Sequence, residues 1–224
     1  MRYQDEIYLA IIAVIGTITT YFSLFLSPAE VEMGELVRIL YFHLPGAILC
    51  YASLGLSLLA GIAFLWKKSV KFDALSYSAA VIGLVYGAVT LITGSIWANV
   101  TWGVYWNWDP RETTTLILWL AYVGYFFLRM SIDNPERRAS ISAAYNVLIF
   151  LTVPLSYLSF IFWPSLHPRL EGSLGLTTVM IQTLVMNLLV SILIFIWLIR
   201  TAYTVTLKKG TITGKSMEAD TVAV

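Results

Sequence analysis

The chain has 224 residues, of which 58% are hydrophobic and only 12% charged, with a mean hydropathy of +0.78. A soluble domain carries roughly 25% charged residues, so a soluble globule and a disordered chain are excluded, and a net charge of +1 excludes a nucleic-acid binder held by phosphate contacts. What is left is an integral membrane protein, most of whose side chains are solvated by hydrocarbon.

Six apolar segments follow one another, at about 7–26, 44–66, 74–98, 113–128, 141–163 and 174–199, and none contains Asp, Glu, Lys or Arg. That absence fits a cost of roughly 2.5–3.5 kcal/mol for a charge at the bilayer centre. A spanning helix needs roughly 20 apolar residues, so the fourth segment must borrow a residue or two at either end. The first is too long for the apolar part of a signal peptide, and no small-x-small cleavage site precedes Ser27-Pro28, so it reads as a retained helix. The expected fold is therefore all-α and polytopic. Six transmembrane helices occupy residues 1–207, with the outer loop at about 97–113 included, and 208–224 form an unstructured cytoplasmic tail.

Orientation follows from the cations. Arg2, Lys67, Lys68, Lys71, Arg129, Arg137, Arg138, Arg200, Lys208, Lys209 and Lys215 fall on one side, and Arg38, Arg111 and Arg169 on the other. Eleven against three puts both termini in the cytoplasm and the odd-numbered loops outside. A cytoplasmic (inner) membrane with its chemistry on the outer, periplasmic face is the expected setting.

The first outer loop opens with Ser27-Pro28-Ala29-Glu30, which reads as a helix N-cap, a proline at the first helical position and a capping-box Glu. Met33, Leu36, Val37 and Leu40 follow at i, i+3, i+4 and i+7. This spacing predicts an amphipathic helix on the outer interface that ends near His43.

In the second outer loop, Trp97, Trp102, Tyr105, Trp106 and Trp108 bring half of the eight tryptophans into twelve residues. An interfacial aromatic belt accounts for Trp66, Trp163 and Trp197, each alone near a helix end, but not for this crowding. A wall of flat, polarisable faces suits a large planar ligand. Asp109-Pro110-Arg111-Glu112 is a complete helix-start signature for the fourth span, and that reading suffices for Asp109, Pro110 and Glu112. Arg111, a cation on the cation-poor side, could pair with a ligand carboxylate or simply be solvated at the helix start.

The chain has two histidines and one cysteine. Cys50 alone can form neither an internal disulfide nor a CxxC pair. His43 stands at the outer mouth of the second span and His167 in the third outer loop, both on the side of the aromatic loop. Two neutral imidazoles can fill both axial positions of a heme iron, with arginines meeting the propionates. A zinc site asks for three or four ligands.

The run Trp102-Gly103-Val104-Tyr105-Trp106-Asn107-Trp108-Asp109-Pro110-Arg111-Glu112-Thr113 resembles the tryptophan-rich WWD signature of heme-handling proteins of cytochrome c maturation. Six spans, this length and one histidine in each flanking outer loop resemble the CcmC branch. The resemblance implies heme b ligated by His43 and His167, with Trp102, Gly103, Tyr105, Trp106, Trp108 and Asp109 as the heme motif. It also implies delivery to the heme chaperone CcmE, with the CcmAB ABC transporter and CcmD as partners. The wording of the motif is closer to the CcsA (ResC-like) branch, which hands heme to a synthetase. That branch is larger and carries histidines within its spans, so size and histidine count favour CcmC. Either way the implied role is a heme-presenting platform and not an enzyme. The other class to weigh is a small-solute transporter with an aromatic cage, in which ionisable residues near the midplane are expected.

Overall fold

The computed structural model describes residues 3–167 and 175–222, with side chains described as far as Lys208. Helix α1 (Tyr3–Tyr21) runs into one π-helical turn (Phe22–Leu26) and is followed by α2 (Val37–Lys67), α3 (Val70–Trp102), α4 (Pro110–Met130), α5 (Pro135–Ile149), α6 (Thr152–Phe162) and α7 (Thr178–Val222). Six stretches among the described residues are long and apolar enough to cross a membrane, α5 and α6 together making one of them.

The short fourth span gains both its ends. Asp109 caps it, its side chain accepting the Arg111 N–H at 2.8 Å, and Pro110 stands first in a helix of 21 residues. The fifth span breaks at Phe150–Leu151, upstream of Pro154. Lacking an N–H, Pro154 cannot bond the Phe150 carbonyl, which takes the Val153 N–H at 2.9 Å instead. The backbone of α7 stays helical to Val222, so the polar tail expected to be unstructured from Lys208 continues the helix.

The first outer loop departs from expectation. Residues 28–36 form turns, not an interfacial helix, and α2 begins at Val37 and runs on through Pro45. Glu30 caps these turns, its carboxylate accepting the N–H groups of Glu32 at 2.8 Å and Met33 at 2.6 Å. Burial decides this. Val37 and Tyr41 are fully buried beside Met180 of α7, and the Tyr41 and Ser27 hydroxyls bond at 2.6 Å. Of the apolar stripe that looked made for a membrane surface, Val37 is covered by protein and Met33 packs on the same cluster, while Leu40 borders a cavity. His43 consequently lies in the second turn of a spanning helix and not ahead of it.

α2 and α3 are joined by reciprocal serine bonds: Ser57 donates to the Ser76 carbonyl at 2.8 Å and Ser76 to the Ser57 carbonyl at 2.9 Å. Asn146 of α5 ties in a third and a fourth helix. Its amide donates to Ser57 Oγ at 2.9 Å and its oxygen accepts from Tyr122 of α4 at 3.0 Å. Such bonds between membrane helices contribute up to about 1.7 kcal/mol each. Asn146→Leu is therefore expected to cost about 1–2 kcal/mol, read as a lower thermal unfolding midpoint in detergent.

Chain direction brings the end of α1, the start of α2, the end of α3, the start of α4, the end of α6 and the start of α7 to one end of the bundle. His43 near the start of α2, the tryptophans at and after the end of α3, and His167 after α6 all lie at that end.

Candidate functional site

A cavity opens there, with His43, His167, Trp97, Trp102, Trp106 and Arg111 in its wall and Ile39, Leu40, Leu44 and Leu91 as its apolar lining. It holds about 1040 Å³ of empty space including its open mouth. Among the described residues no cluster of three or more His, Cys, Asp and Glu could hold a bare metal ion.

His43 is held by α3. Thr93 donates its hydroxyl proton to the Val89 carbonyl at 2.7 Å, which leaves its oxygen to accept from His43 Nδ1 at 2.9 Å. Nδ1 therefore carries the ring proton and Nε2 keeps a free lone pair, the usual way a protein fixes the tautomer of a ligating imidazole. Gly94 makes the room, since a Cβ there would stand 3.1 Å from His43 Cε1.

His167 is held by α4. The Asp109 carboxylate reaches beyond its capping bond to accept the Ser165 hydroxyl at 2.9 Å and the Leu166 N–H at 2.7 Å. Ser165 Oγ in turn accepts the His167 N–H at 3.1 Å. Burial first, and then the positive charge of Arg111, push the His167 pKa down to about 3, so its imidazole is neutral. A neutral ring has a lone pair to give.

The aromatic run divides. Trp97 and Trp102 belong to the last turns of α3, their rings edge to face at 5.2 Å, and Trp97 lies 6.5 Å from the His167 ring. Trp106 joins them in the wall. Tyr105 and Trp108 do not: they are 61% and 71% exposed and lie outside the cavity lining. Gly103 is also absent from the lining. It ends α3 at φ +79°, its N–H bonded to the Asn99 carbonyl at 3.0 Å, a left-handed cap that suits glycine. Asp109 lines no wall either and serves through the His167 segment.

Of the three arginines on this side, Arg111 alone is seen in the cavity wall, its guanidinium 5.7 Å from the Tyr157 ring and 5.8 Å from that of Phe160. Arg38 pairs with Glu35, and Arg169 lies outside the described residues. Glu112 also lines the cavity while accepting the Asn107 N–H at 3.2 Å, so the capping-box carboxylate reaches two residues further back than its motif implies.

Thr93, Gly94 and Ser165 escaped the sequence reading. Their only signals are a Thr-Gly pair just before Trp97 and a serine two residues before His167.

The family model described as CcmC, Heme exporter protein C, matches residues 3–223. The Heme exporter protein C of Bradyrhizobium diazoefficiens is 32% identical over 173 residues, 75% of this chain and 66% of that protein. That of Rhodobacter capsulatus is 34% identical over 139 residues, 62% of this chain and 57% of the relative. The Escherichia coli K12 protein is 35% identical over 145 residues, covering 63% and 58%. The match spans between 57% and 66% of these relatives' own lengths. With the match to the family model running almost end to end over a six-span helical chain, the protein belongs to the heme exporter protein C (CcmC) family.

Proposed function

We propose that this chain holds heme b at the outer face of the cytoplasmic membrane and delivers it to a heme chaperone in cytochrome c maturation. One observation carries the reading: the only two histidines in the sequence line one cavity, walled by Trp97, Trp102 and Trp106. Two neutral imidazoles suit the two axial positions of a porphyrin iron. Indole faces suit its macrocycle. Arg111, now stacked on Tyr157 and Phe160, is the cation available to a propionate.

The excess of Lys and Arg at the opposite loops supports an outward-facing cavity with both termini in the cytoplasm. The family's name supports membership of a Ccm system, and CcmE as acceptor, the CcmAB ABC transporter and CcmD are the proposed partners. In this reading the chain is a platform and not an enzyme: His43 and His167 hold the iron, the tryptophans exclude water, and release requires one imidazole to let go.

The test is heme loading of the purified protein in detergent. A low-spin spectrum of the two-imidazole type is expected, together with its loss in the double variant His43→Ala/His167→Ala and transfer of the bound heme to added CcmE. No low-spin heme in the wild type, or an unchanged spectrum in the double variant, would sink the proposal.

A further inference from the structure

We infer that Asp109 is a positioning residue that latches His167 to the start of α4, and that His167, not His43, is the ligand that detaches when the heme leaves. The inference rests on the proposal above that both histidines ligate the iron.

A helix N-cap needs one side-chain oxygen to accept one backbone N–H, and Asp109 Oδ1 does this for Arg111 at 2.8 Å. The rest of the carboxylate is spent on another part of the chain. Oδ2 accepts the Leu166 N–H at 2.7 Å, and both oxygens lie 2.9 Å from the Ser165 hydroxyl. Ser165 Oγ then takes the His167 N–H at 3.1 Å, so the backbone of the ligand is two hydrogen bonds from the carboxylate. Asp109 itself is 5% exposed, a setting in which such charge-assisted bonds are strong.

Among the described residues the segment's other hold is the His167 ring itself, which lies 6.5 Å from that of Trp97. Residues 163–167 are not helical, and Trp163 and Leu166 are 47% and 63% exposed, so no apolar burial fixes the path of the chain there. His43 is the opposite case. It sits inside a 31-residue helix between the buried Tyr41 and Pro45, with its ring bonded to Thr93 and fitted over Gly94. Among the described residues, one ligand is part of a packed helix and the other is mounted on one carboxylate and a ring contact to Trp97. The weaker mount is the one that yields.

The experiment uses the heme-loaded full chain in detergent. Asp109→Asn keeps the cap, because an Asn oxygen accepts the Arg111 N–H as well as Asp does. Its NH2 group would instead face the Leu166 N–H, donor against donor. The expected result is a shift from low-spin six-coordinate toward high-spin five-coordinate heme and a heme dissociation rate at least tenfold faster, with added imidazole restoring the low-spin spectrum. Ser165→Ala should move both readouts the same way by a smaller factor, and it decides the matter if Asp109→Asn does not fold. The latch further requires that Asp109→Asn leave the heme dissociation rate unchanged once His167 is already Ala, but speed it by the full factor in the His43→Ala background. Equal effects in the two backgrounds, or wild-type spectra and rates in both Asp109→Asn and Ser165→Ala, would overturn it. A wild type without two-imidazole heme would instead overturn the proposal on which it rests.

Discussion

Replacing His43 with alanine is expected to lower heme affinity by two orders of magnitude or more, at least about 3 kcal/mol at about 1.4 kcal/mol per tenfold. The low-spin spectrum should go with it. The reason is the seat as much as the ligand. His43 is presented by a spanning helix, its Nδ1 proton is spent on Thr93, and its ring packs so close to Gly94 that a Cβ there would stand 3.1 Å from Cε1. No other imidazole lies on that wall, because the sequence has two histidines and the second comes from the α6–α7 connection. Thr93→Val provides the graded control. It preserves the shape of the side chain but removes the acceptor that fixes the tautomer, for which about a tenfold loss in affinity is expected. Heme titration followed by absorbance reads both variants, and equal affinity in Thr93→Val and wild type would show that the seat does not orient the ring.

The largest effect on stability is expected at the other end of the bundle. Arg129 of α4 pairs with Asp73 of α3 in two parallel bonds of 2.7 and 2.9 Å, and its guanidinium also lies 4.9 Å from the Tyr77 ring. Both side chains are largely buried, at 10% and 21% exposure. Removing one member of such a pair leaves the other charge uncompensated, at a cost of about 3–5 kcal/mol, whereas replacing both by apolar residues is often close to neutral. Arg129→Ala should therefore lower the unfolding midpoint sharply, and Asp73→Leu/Arg129→Met should recover most of the loss. The loaded spectrum of the folded fraction should not change, since the pair is remote from the cavity. A single variant as stable as wild type would show that the pair contributes little.

Much of the fold could be read without coordinates. Charge-free runs of sufficient length announce spanning helices because hydrocarbon rejects charge, and all six appear as helices of spanning length. Asp109-Pro110 announced the start of α4 because an N-cap and a proline at the first position are local devices. The break before Pro154 follows from a missing N–H. Where the signal was amphipathic, sequence misled: Met33, Leu36, Val37 and Leu40 show an apolar stripe but not what covers it. A stripe facing Met180 of α7 looks the same in sequence as one facing lipid.

The candidate site divides in the same way. Composition and spacing by themselves determined that this is a six-span protein and that both histidines and the tryptophan-rich loop share one side of it; the WWD reading of that loop came from its resemblance to a known family. Those are statements about residue type and order, which hydropathy and local capping decide. Only the tertiary structure decided that Trp97, Trp102 and Trp106 face the cavity while Tyr105 and Trp108 face away. It alone showed that Gly103 ends a helix, and that Asp109 acts on residues 56 and 57 positions further along the chain. It alone seated His43 against Thr93, 50 residues away. Contacts at such separations arise when helices pack, and no local pattern in the chain records which helix a side chain will meet.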